Sequence, residues 1–112
     1  MTAALEQQQT LARYAASLDD LPKGDQEHRL QLMADFSAFV ERTPDQMIEE
    51  VFDEETRKYK KRGFYTDKAK EFAATRAENR NAQLQISNVV RGFFIANGRR
   101  LLAEQPDWMR AT

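Results

Sequence analysis

The sequence contains no cysteine, only three prolines and four glycines in 112 residues. Without cysteine, the chain can form neither a disulfide framework nor a thiolate metal site, which fits a reducing cytoplasm. No run approaches the roughly 18 consecutive apolar residues of a membrane span. Residues 1–5 lack the charged start and apolar run of a signal peptide. We therefore expect one small cytoplasmic domain built around a single core.

Residues suited to catalysis are also scarce. The only histidine, His28, lies at the polar start of a helical pattern, so we interpret it as a surface residue. The acidic segments 49–50 and 53–55 lack the glycine-centred loop of a calcium site and are typical of a solvated helix face. Gly63 and Gly98 are isolated, so no glycine-rich phosphate loop is present. The sequence thus predicts no catalytic residue, no metal and no cofactor.

The net charge of −1 conceals a strong asymmetry along the chain. Residues 1–55 contain 4 Lys or Arg and 13 Asp or Glu, whereas residues 56–100 contain 12 and 3. A basic region of this kind can attract phosphate while the whole chain stays nearly neutral. The alternative is that the two halves neutralise each other across helix contacts.

The last helix is the clearest element. Ile86, Val89, Val90, Phe93 and Phe94 recur at the spacing of one buried helical face. A glycine follows at position 98, where a left-handed C-terminal cap belongs. We expect the rest of the chain to cover this face.

Two further helices are predicted at the start of the chain. The first covers residues 2–20, with Leu11, Tyr14 and Leu18 in an apolar stripe. Because proline and glycine follow it, we interpret residues 1–24 as a helical arm outside the main core. The second helix covers residues 26–41.

The third helix has the best-marked start. Thr43 suits the N-cap, Pro44 the first helical position and Gln46 the third position of a capping box. We expect this helix to run from residue 44 to about residue 61. A turn at 63–66 then leads to a fourth helix, residues 67 to about 79, which Thr66 would cap. Its buried face is expected to carry Ala69, Phe72, Ala73 and the methylenes of Arg76.

The predicted architecture is all-α, and residues 25–104 form its main helical domain. A bend at residues 79–81 separates the fourth helix from the fifth. Leu101 and Leu102 are expected to pack back on the bundle.

A basic strip is predicted at the end of the third helix. Lys58, Lys61 and Arg62 would share one helical face, with Arg57 beside Lys61. Because these cations repel one another, the strip favours an anionic partner. A solvated helix end stabilised by the helix dipole is the alternative.

A polar face on the fifth helix points to the same class of partner. Asn81, Gln85, Asn88 and Arg91 can hydrogen-bond base edges in DNA. Gly92 lies on this face and suggests close approach of a backbone, although packing against a neighbouring helix explains it equally well. Further cations could contact phosphates: Lys68, Lys70, Arg76, Arg80, Arg99 and Arg100.

These features resemble a known family. The segments 36–39, 42–48 and 88–94, followed by Asn97 and Gly98, are similar to the core-binding, SAM-like N-terminal domain of tyrosine recombinases, or phage-type integrases. The resemblance covers about residues 28–102. It implies a four-helix SAM-like bundle with an additional N-terminal helix. It also implies that helices 44–61 and 81–97 face duplex DNA.

The resemblance implies that DNA breakage and rejoining belong to a separate catalytic domain, with residues 105–112 beginning the linker to it. None of Tyr14, Tyr59 and Tyr65 is assigned as the nucleophile. The expected partners are double-stranded DNA and other copies of the recombinase, at the nucleoid, with no membrane and no small-molecule substrate. The residues expected to contact DNA are Arg57, Lys58, Lys61, Arg62, Lys68, Arg80, Asn81, Gln85, Asn88, Arg91, Arg99 and Arg100.

Two other functions stay open. A protein–protein interaction module could self-associate, without binding DNA, through the helix at 2–20 or through Phe64 and Tyr65. A helix-turn-helix regulator is less favoured, because the bend at 79–81 is short and lacks a turn glycine.

Overall fold

The computed structural model describes residues 9–101 as an all-α bundle of five helices with one very short β-hairpin, which confirms the predicted fold class. In chain order the elements are α1 (Gln9–Ser17), α2 (Lys23–Val40), α3 (Pro44–Glu50), β1 (Phe52–Asp53), β2 (Lys58–Tyr59), α4 (Arg62–Arg76) and α5 (Arg80–Ala96). Leu102 and the predicted linker at 105–112 lie outside the described residues. None of the described helices combines the length and apolar character needed to cross a membrane.

The core is organised around α5, as its periodicity predicts. Val90, Phe93 and Phe94 have no exposed surface. The rings of Phe93 and Phe94 lie edge to face, with centroids 5.3 Å apart. Tyr14 of α1 packs against Phe93, and Tyr65 of α4 packs against Phe94. Aromatic side chains bury large apolar areas, so these contacts stabilise the bundle.

Helix α1 belongs to this core. Leu11 and Tyr14 of α1 and the following Leu18 are all buried. The N–H and hydroxyl of Thr10 both donate to Asp45 Oδ1 at the start of α3, at 3.0 and 2.6 Å. Asn97 Nδ2 donates to the Thr10 carbonyl at 3.0 Å. The prediction of an arm outside the core is therefore wrong for residues 9–18, because the apolar stripe of α1 covers α5.

Helix α2 begins three residues earlier than predicted, after Pro22, and ends one residue earlier, at Val40. Glu41 then takes a left-handed conformation and its N–H caps the helix. The inward face carries Met33 and Phe36, which have no exposed surface. The ring of Phe36 packs edge to face on Phe72 of α4, with centroids 5.5 Å apart.

The start of α3 is confirmed in full. Gln46 N donates to Thr43 Oγ1 at 3.1 Å, and Thr43 N donates to Gln46 Oε1 at 2.8 Å. Pro44 occupies the first helical position. This reciprocal capping box satisfies two amides that would otherwise lack partners.

The end of α3 is a correction: the helix stops at Glu50, and residues 52–59 form an antiparallel hairpin in which Phe52 pairs with Tyr59. Asp53 Oδ1 accepts hydrogen bonds from the amides of Glu55 at 2.9 Å and Thr56 at 3.3 Å. This side chain offers the backbone a turn in place of a helix. Arg57 completes the turn with a φ of 56°.

The start of α4 is a second correction. Lys61 adopts a left-handed conformation and α4 begins at Arg62, so residues 63–66 form its first turn. Thr66 is therefore not a cap; its hydroxyl donates to the Arg62 carbonyl at 2.9 Å. The predicted buried face of Ala69, Phe72 and Ala73 is confirmed. The helix ends at Arg76, three residues short of the predicted end.

Helix α5 begins at Arg80. Asn79 caps the helix by accepting from Ala82 N at 2.7 Å. The break between α4 and α5 covers residues 77–79, two residues earlier than predicted, and Arg80 and Asn81 belong to α5.

The end of α5 agrees with the sequence. Gly98 has a φ of 75°, the left-handed conformation expected after the helix. Leu101 is buried and so packs back on the bundle.

Candidate nucleic-acid interface

One end of the molecule gathers most of the predicted cations. Helices α4 and α5 are antiparallel, so the hairpin, the start of α4 and the chain after α5 meet at the same end. Arg62 Nε of α4 donates to the carbonyl of Arg100 at 2.9 Å, which joins two of these segments. We call this set the basic surface: Arg57, Lys58, Lys60, Lys61, Arg62, Lys68, Arg99 and Arg100.

Two arginines of the basic surface are oriented by the aromatic pair of the hairpin. The guanidinium of Arg62 lies 4.3 Å from the ring centroid of Tyr59, and that of Arg99 lies 4.2 Å from the centroid of Phe52. The two rings themselves pack edge to face at 5.1 Å. Stacking of a cation on a ring is attractive and fixes the plane of the guanidinium.

Acidic side chains neutralise part of the basic surface. Lys61 pairs with Glu50 at 3.3 Å, Arg99 with Glu54 at 3.2 Å and Lys68 with Glu71 at 3.5 Å. The alternative of charge neutralisation between the two halves therefore holds for some cations.

The hairpin cations are different. Arg57, Lys58 and Lys60 are exposed, and none of them has an ion pair within residues 9–101. These three side chains are therefore the part of the basic surface most available to an anion.

The basic strip is not a helical face, which corrects the sequence interpretation. Lys58 lies on β2, Lys61 caps α4 and Arg62 begins α4. They are close because the hairpin returns the chain to the start of α4. Lys60, which a helical strip would have left out, joins the set; its amide donates to the Val51 carbonyl at 2.8 Å. The sequence could have predicted Lys60 in the basic surface only if the hairpin had been recognised.

Glu50 connects the basic surface to the core. Its carboxylate accepts hydrogen bonds from Tyr65 Oη at 2.8 Å, Arg42 Nε at 2.8 Å and Lys61 Nζ at 3.3 Å. Partial burial favours its neutral form, but these three donors outweigh that effect and hold the pKa of the carboxyl below its ordinary value. Burial, and then the hydrogen bond to Glu50, raise the pKa of the Tyr65 hydroxyl well above its ordinary value. Tyr65 therefore stays a hydrogen-bond donor.

The predicted polar residues of α5 lie elsewhere. Asn81, Gln85 and Asn88 are exposed on the first half of α5, and Arg91 is half-buried. The 17 residues of α5 span about 25 Å, and the basic surface begins at the far end. The structure thus divides the predicted site residues into two groups and does not bring Arg80, Asn81, Gln85, Asn88 and Arg91 to the hairpin.

Gly92 has a packing explanation. A methyl group built at this position would lie 3.7 Å from Tyr14 Cε1 and 3.9 Å from Tyr14 Oη. The residue therefore faces a side chain of α1, the neighbouring helix, which was one of the two explanations considered from the sequence.

The three tyrosines of the chain all pack against other side chains of the bundle or the hairpin. Tyr14 and Tyr65 are buried, and Tyr59 lies beneath Arg62. Within residues 9–101, no group of three or more His, Asp or Glu side chains is arranged to hold a metal ion. Comparisons with protein-family models, curated proteins and solved structures find no match for this chain.

Proposed function

We propose that the chain binds duplex DNA through the basic surface. The observation that carries this proposal is the hairpin itself, which presents Arg57, Lys58 and Lys60 to solvent without ion pairs among the described residues. Duplex DNA carries one negative charge per roughly 1.7 Å of helix axis, so a cluster of unpaired cations is attracted to it over several phosphates at once.

The shape of the surface also favours a duplex. A two-stranded ribbon fits the major groove of B-DNA, whose width is about 12 Å. The guanidinium groups of Arg62 and Arg99 flank the ribbon and are held in fixed planes by Tyr59 and Phe52. Planar guanidinium groups match phosphate geometry with two parallel hydrogen bonds. We expect lysine contacts to phosphate to dominate, which gives affinity with little sequence preference.

The resemblance to the core-binding domain of tyrosine recombinases gives this activity a context. In that context the chain holds duplex DNA at the nucleoid, and a separate catalytic domain breaks and rejoins the strands. The geometry changes one detail of that proposal. The hairpin between α3 and α4, together with the end of α5, takes the place of the extended third helix as the DNA-facing element.

Self-association has less support among the described residues. Leu11 and Tyr14 of α1 are buried in the core of the same chain. Tyr65 is also fully buried. Phe64 is 45% exposed, but the ammonium groups of Lys61 and Lys68 lie over its ring. Charged groups over an aromatic ring disfavour an apolar contact there.

The proposal is tested by removing charge from one end of the molecule at a time. The double variant Lys58→Gln and Lys60→Gln removes two cations from the hairpin. The matched control, Lys23→Gln and Arg80→Gln, removes two cations from the opposite end. We expect the hairpin variant to weaken duplex binding about tenfold or more at low salt. Its salt slope should fall by about two, because each substituted lysine leaves about one phosphate without a cation beside it.

The control variant should bind like the original chain. Equal weakening in both variants would mean that net charge alone governs binding. Weakening confined to the control would move the interface to the start of α5. Either result would overturn the proposal for the hairpin.

A further inference from the structure

A groove of about 550 Å³ lies between α2 and α5, at the end of the molecule opposite the basic surface. Its floor is apolar and includes Leu32, Ile86 and Val89. Its rim is polar and includes Arg29 of α2 and the amides of Gln85 and Asn88 on α5. An apolar floor with a few convergent polar groups is typical of a small-molecule site, and the volume is in the range of such sites.

Arg29 is the charged group of this groove that lacks an anionic partner. It is half-buried and forms no ion pair within residues 9–101. Arg76, which also lines the groove, is already engaged: its Nη2 lies 2.5 Å from Asp35 Oδ2. A half-buried guanidinium without an anion is costly, so a ligand that supplies one would be stabilised here.

A buried hydroxyl lies behind Arg29. Tyr14 is only 2% exposed, and its Oη is buried beside the guanidinium of Arg29. Burial raises the pKa of this hydroxyl, and the hydrogen-bonding approach of Arg29 and its positive charge partly oppose the shift. Arg91, three residues after Asn88, has a buried Nη2 that lacks a hydrogen-bond partner among the described residues.

We propose that this groove binds a nucleoside monophosphate. The phosphate is held by Arg29, the flat base covers the apolar floor, and the amides of Gln85 and Asn88 hydrogen-bond the edge of the base. Side-chain amides supply a donor and an acceptor side by side, which suits a base edge. Asp25 and His28 also stand on the rim. Asp25 precedes Arg29 by one turn of α2, but the two side chains form no ion pair within residues 9–101, so the guanidinium is available to the phosphate.

The same chemistry could come from a free nucleotide or from an unpaired nucleotide in a DNA strand. The site is independent of the duplex surface, because the basic surface lies at the other end of α4 and α5. An experiment that disproves nucleotide binding in the groove therefore leaves the proposed duplex binding untouched, and the reverse also holds.

The test is an NMR titration of the isotope-labelled chain with each of the four deoxynucleoside 5′-monophosphates, with inorganic phosphate and with the unphosphorylated deoxynucleosides. We expect saturable shifts at Arg29, Gln85 and Asn88 for at least one monophosphate, and at least tenfold weaker binding of phosphate alone. Arg29→Gln should weaken the monophosphate about tenfold, as expected for one charge-assisted hydrogen bond.

Asn88→Asp provides a second variant. Asn88 is exposed, so this change does not disturb the core, yet it places a carboxylate on the rim and should also weaken binding. Lys23→Gln is the matched control: Lys23 is exposed, does not line the groove and is not part of the basic surface, so this variant should bind the monophosphate normally. Stronger binding of a duplex with an unpaired overhang than of a blunt duplex, abolished in Asn88→Asp, would assign the site to DNA ends. Equal binding of the two duplexes would assign it to the free nucleotide.

Three results would overturn the proposal. They are the absence of saturable shifts up to roughly 10 mM monophosphate, well above a Kd of about 1 mM; binding of inorganic phosphate as tight as that of the nucleotide; and unchanged nucleotide affinity in both groove variants.

Discussion

At the scale of single residues, Glu50 shows how one side chain links stability to the proposed interface. It receives hydrogen bonds from Tyr65 in the core, from Arg42 before α3 and from Lys61 before α4. Its side chain is 25% exposed, so its interactions are only partly screened by solvent. It therefore fixes the position of the chain where the hairpin returns to the bundle.

The lowered pKa of Glu50 predicts a pH dependence of folding. A carboxyl whose native pKa lies below its unfolded value contributes stability above the unfolded pKa, here near 4.5, and this is lost as pH falls through the native pKa. Glu50→Gln should lower the free energy of unfolding by about 1 kcal/mol at neutral pH. As pH falls, the free energy of unfolding of this variant should decrease less steeply than that of the original chain.

Urea unfolding of the two proteins at a series of pH values measures this difference. Glu49→Gln, which changes an exposed neighbour, is the control and should keep the acid dependence of the original chain. If the free energy of unfolding of Glu50→Gln falls with acid as steeply as that of the original chain, the Glu50 carboxylate does not cause the acid dependence.

Two glycines predict opposite responses to alanine. At Gly92, a methyl group would make ordinary van der Waals contact with Tyr14, and alanine favours a helix by about 1 kcal/mol over glycine. At Gly98, whose φ is 75°, alanine would be strained by about 1 kcal/mol or more. We expect Gly92→Ala to raise the midpoint of chemical denaturation and Gly98→Ala to lower it. A loss of stability in Gly92→Ala would show that Tyr14 cannot accept the added methyl.

At the scale of elements, the sequence predicted the ends that depend on local chemistry. The capping box of Thr43 and Gln46 and the left-handed Gly98 are both confirmed, because each is set by residues within three or four positions. The buried faces of α4 and α5 are also confirmed. Helical periodicity identifies these without knowledge of their partners.

The hairpin could not be predicted in the same way. Its strands have two residues each, too few for alternation to be visible, and the charged residues around them also suit a helix. The hydrogen bonds to Asp53 are local, but the pairing of Phe52 with Tyr59, seven positions apart, forms only after the turn closes. The role of α1 was missed for a related reason, since its apolar stripe does not reveal which surface covers it.

The Asp53 turn gives a prediction for this element. Backbone hydrogen bonds from Thr56 and Glu55 hold the pKa of the Asp53 carboxyl below its ordinary value, which indicates that the turn binds the carboxylate. Asp53→Ala removes the acceptor, so we expect faster hydrogen exchange at the Lys60 and Arg57 amides, which bond across the hairpin. Asp53→Asn keeps an oxygen acceptor and should protect both amides nearly as well. Equal protection in the alanine variant would mean that the aromatic pair alone closes the hairpin.

At the scale of the whole molecule, charge and topology act together. The sequence predicted that the basic half would form a surface, and seven of the twelve predicted contact residues do meet at one end. The other five do not. The antiparallel arrangement of α4 and α5 places Arg80, Asn81, Gln85 and Asn88 in the first half of α5, away from that end, and Arg91 is half-buried. Spacing within one helix could not predict this separation, because it depends on where the hairpin reverses the chain.

The most direct test of the account is the salt dependence of duplex binding by the intact chain. Fluorescence anisotropy of a labelled duplex of about 30 base pairs would be measured between about 50 and 200 mM salt. We predict that affinity falls steeply, with a log–log slope of magnitude about 3 or more, as expected when several lysines and arginines displace counterions from phosphates. Absence of binding at the lowest salt, or a slope near zero, would contradict the claim that the hairpin and its neighbouring cations form a DNA-binding surface.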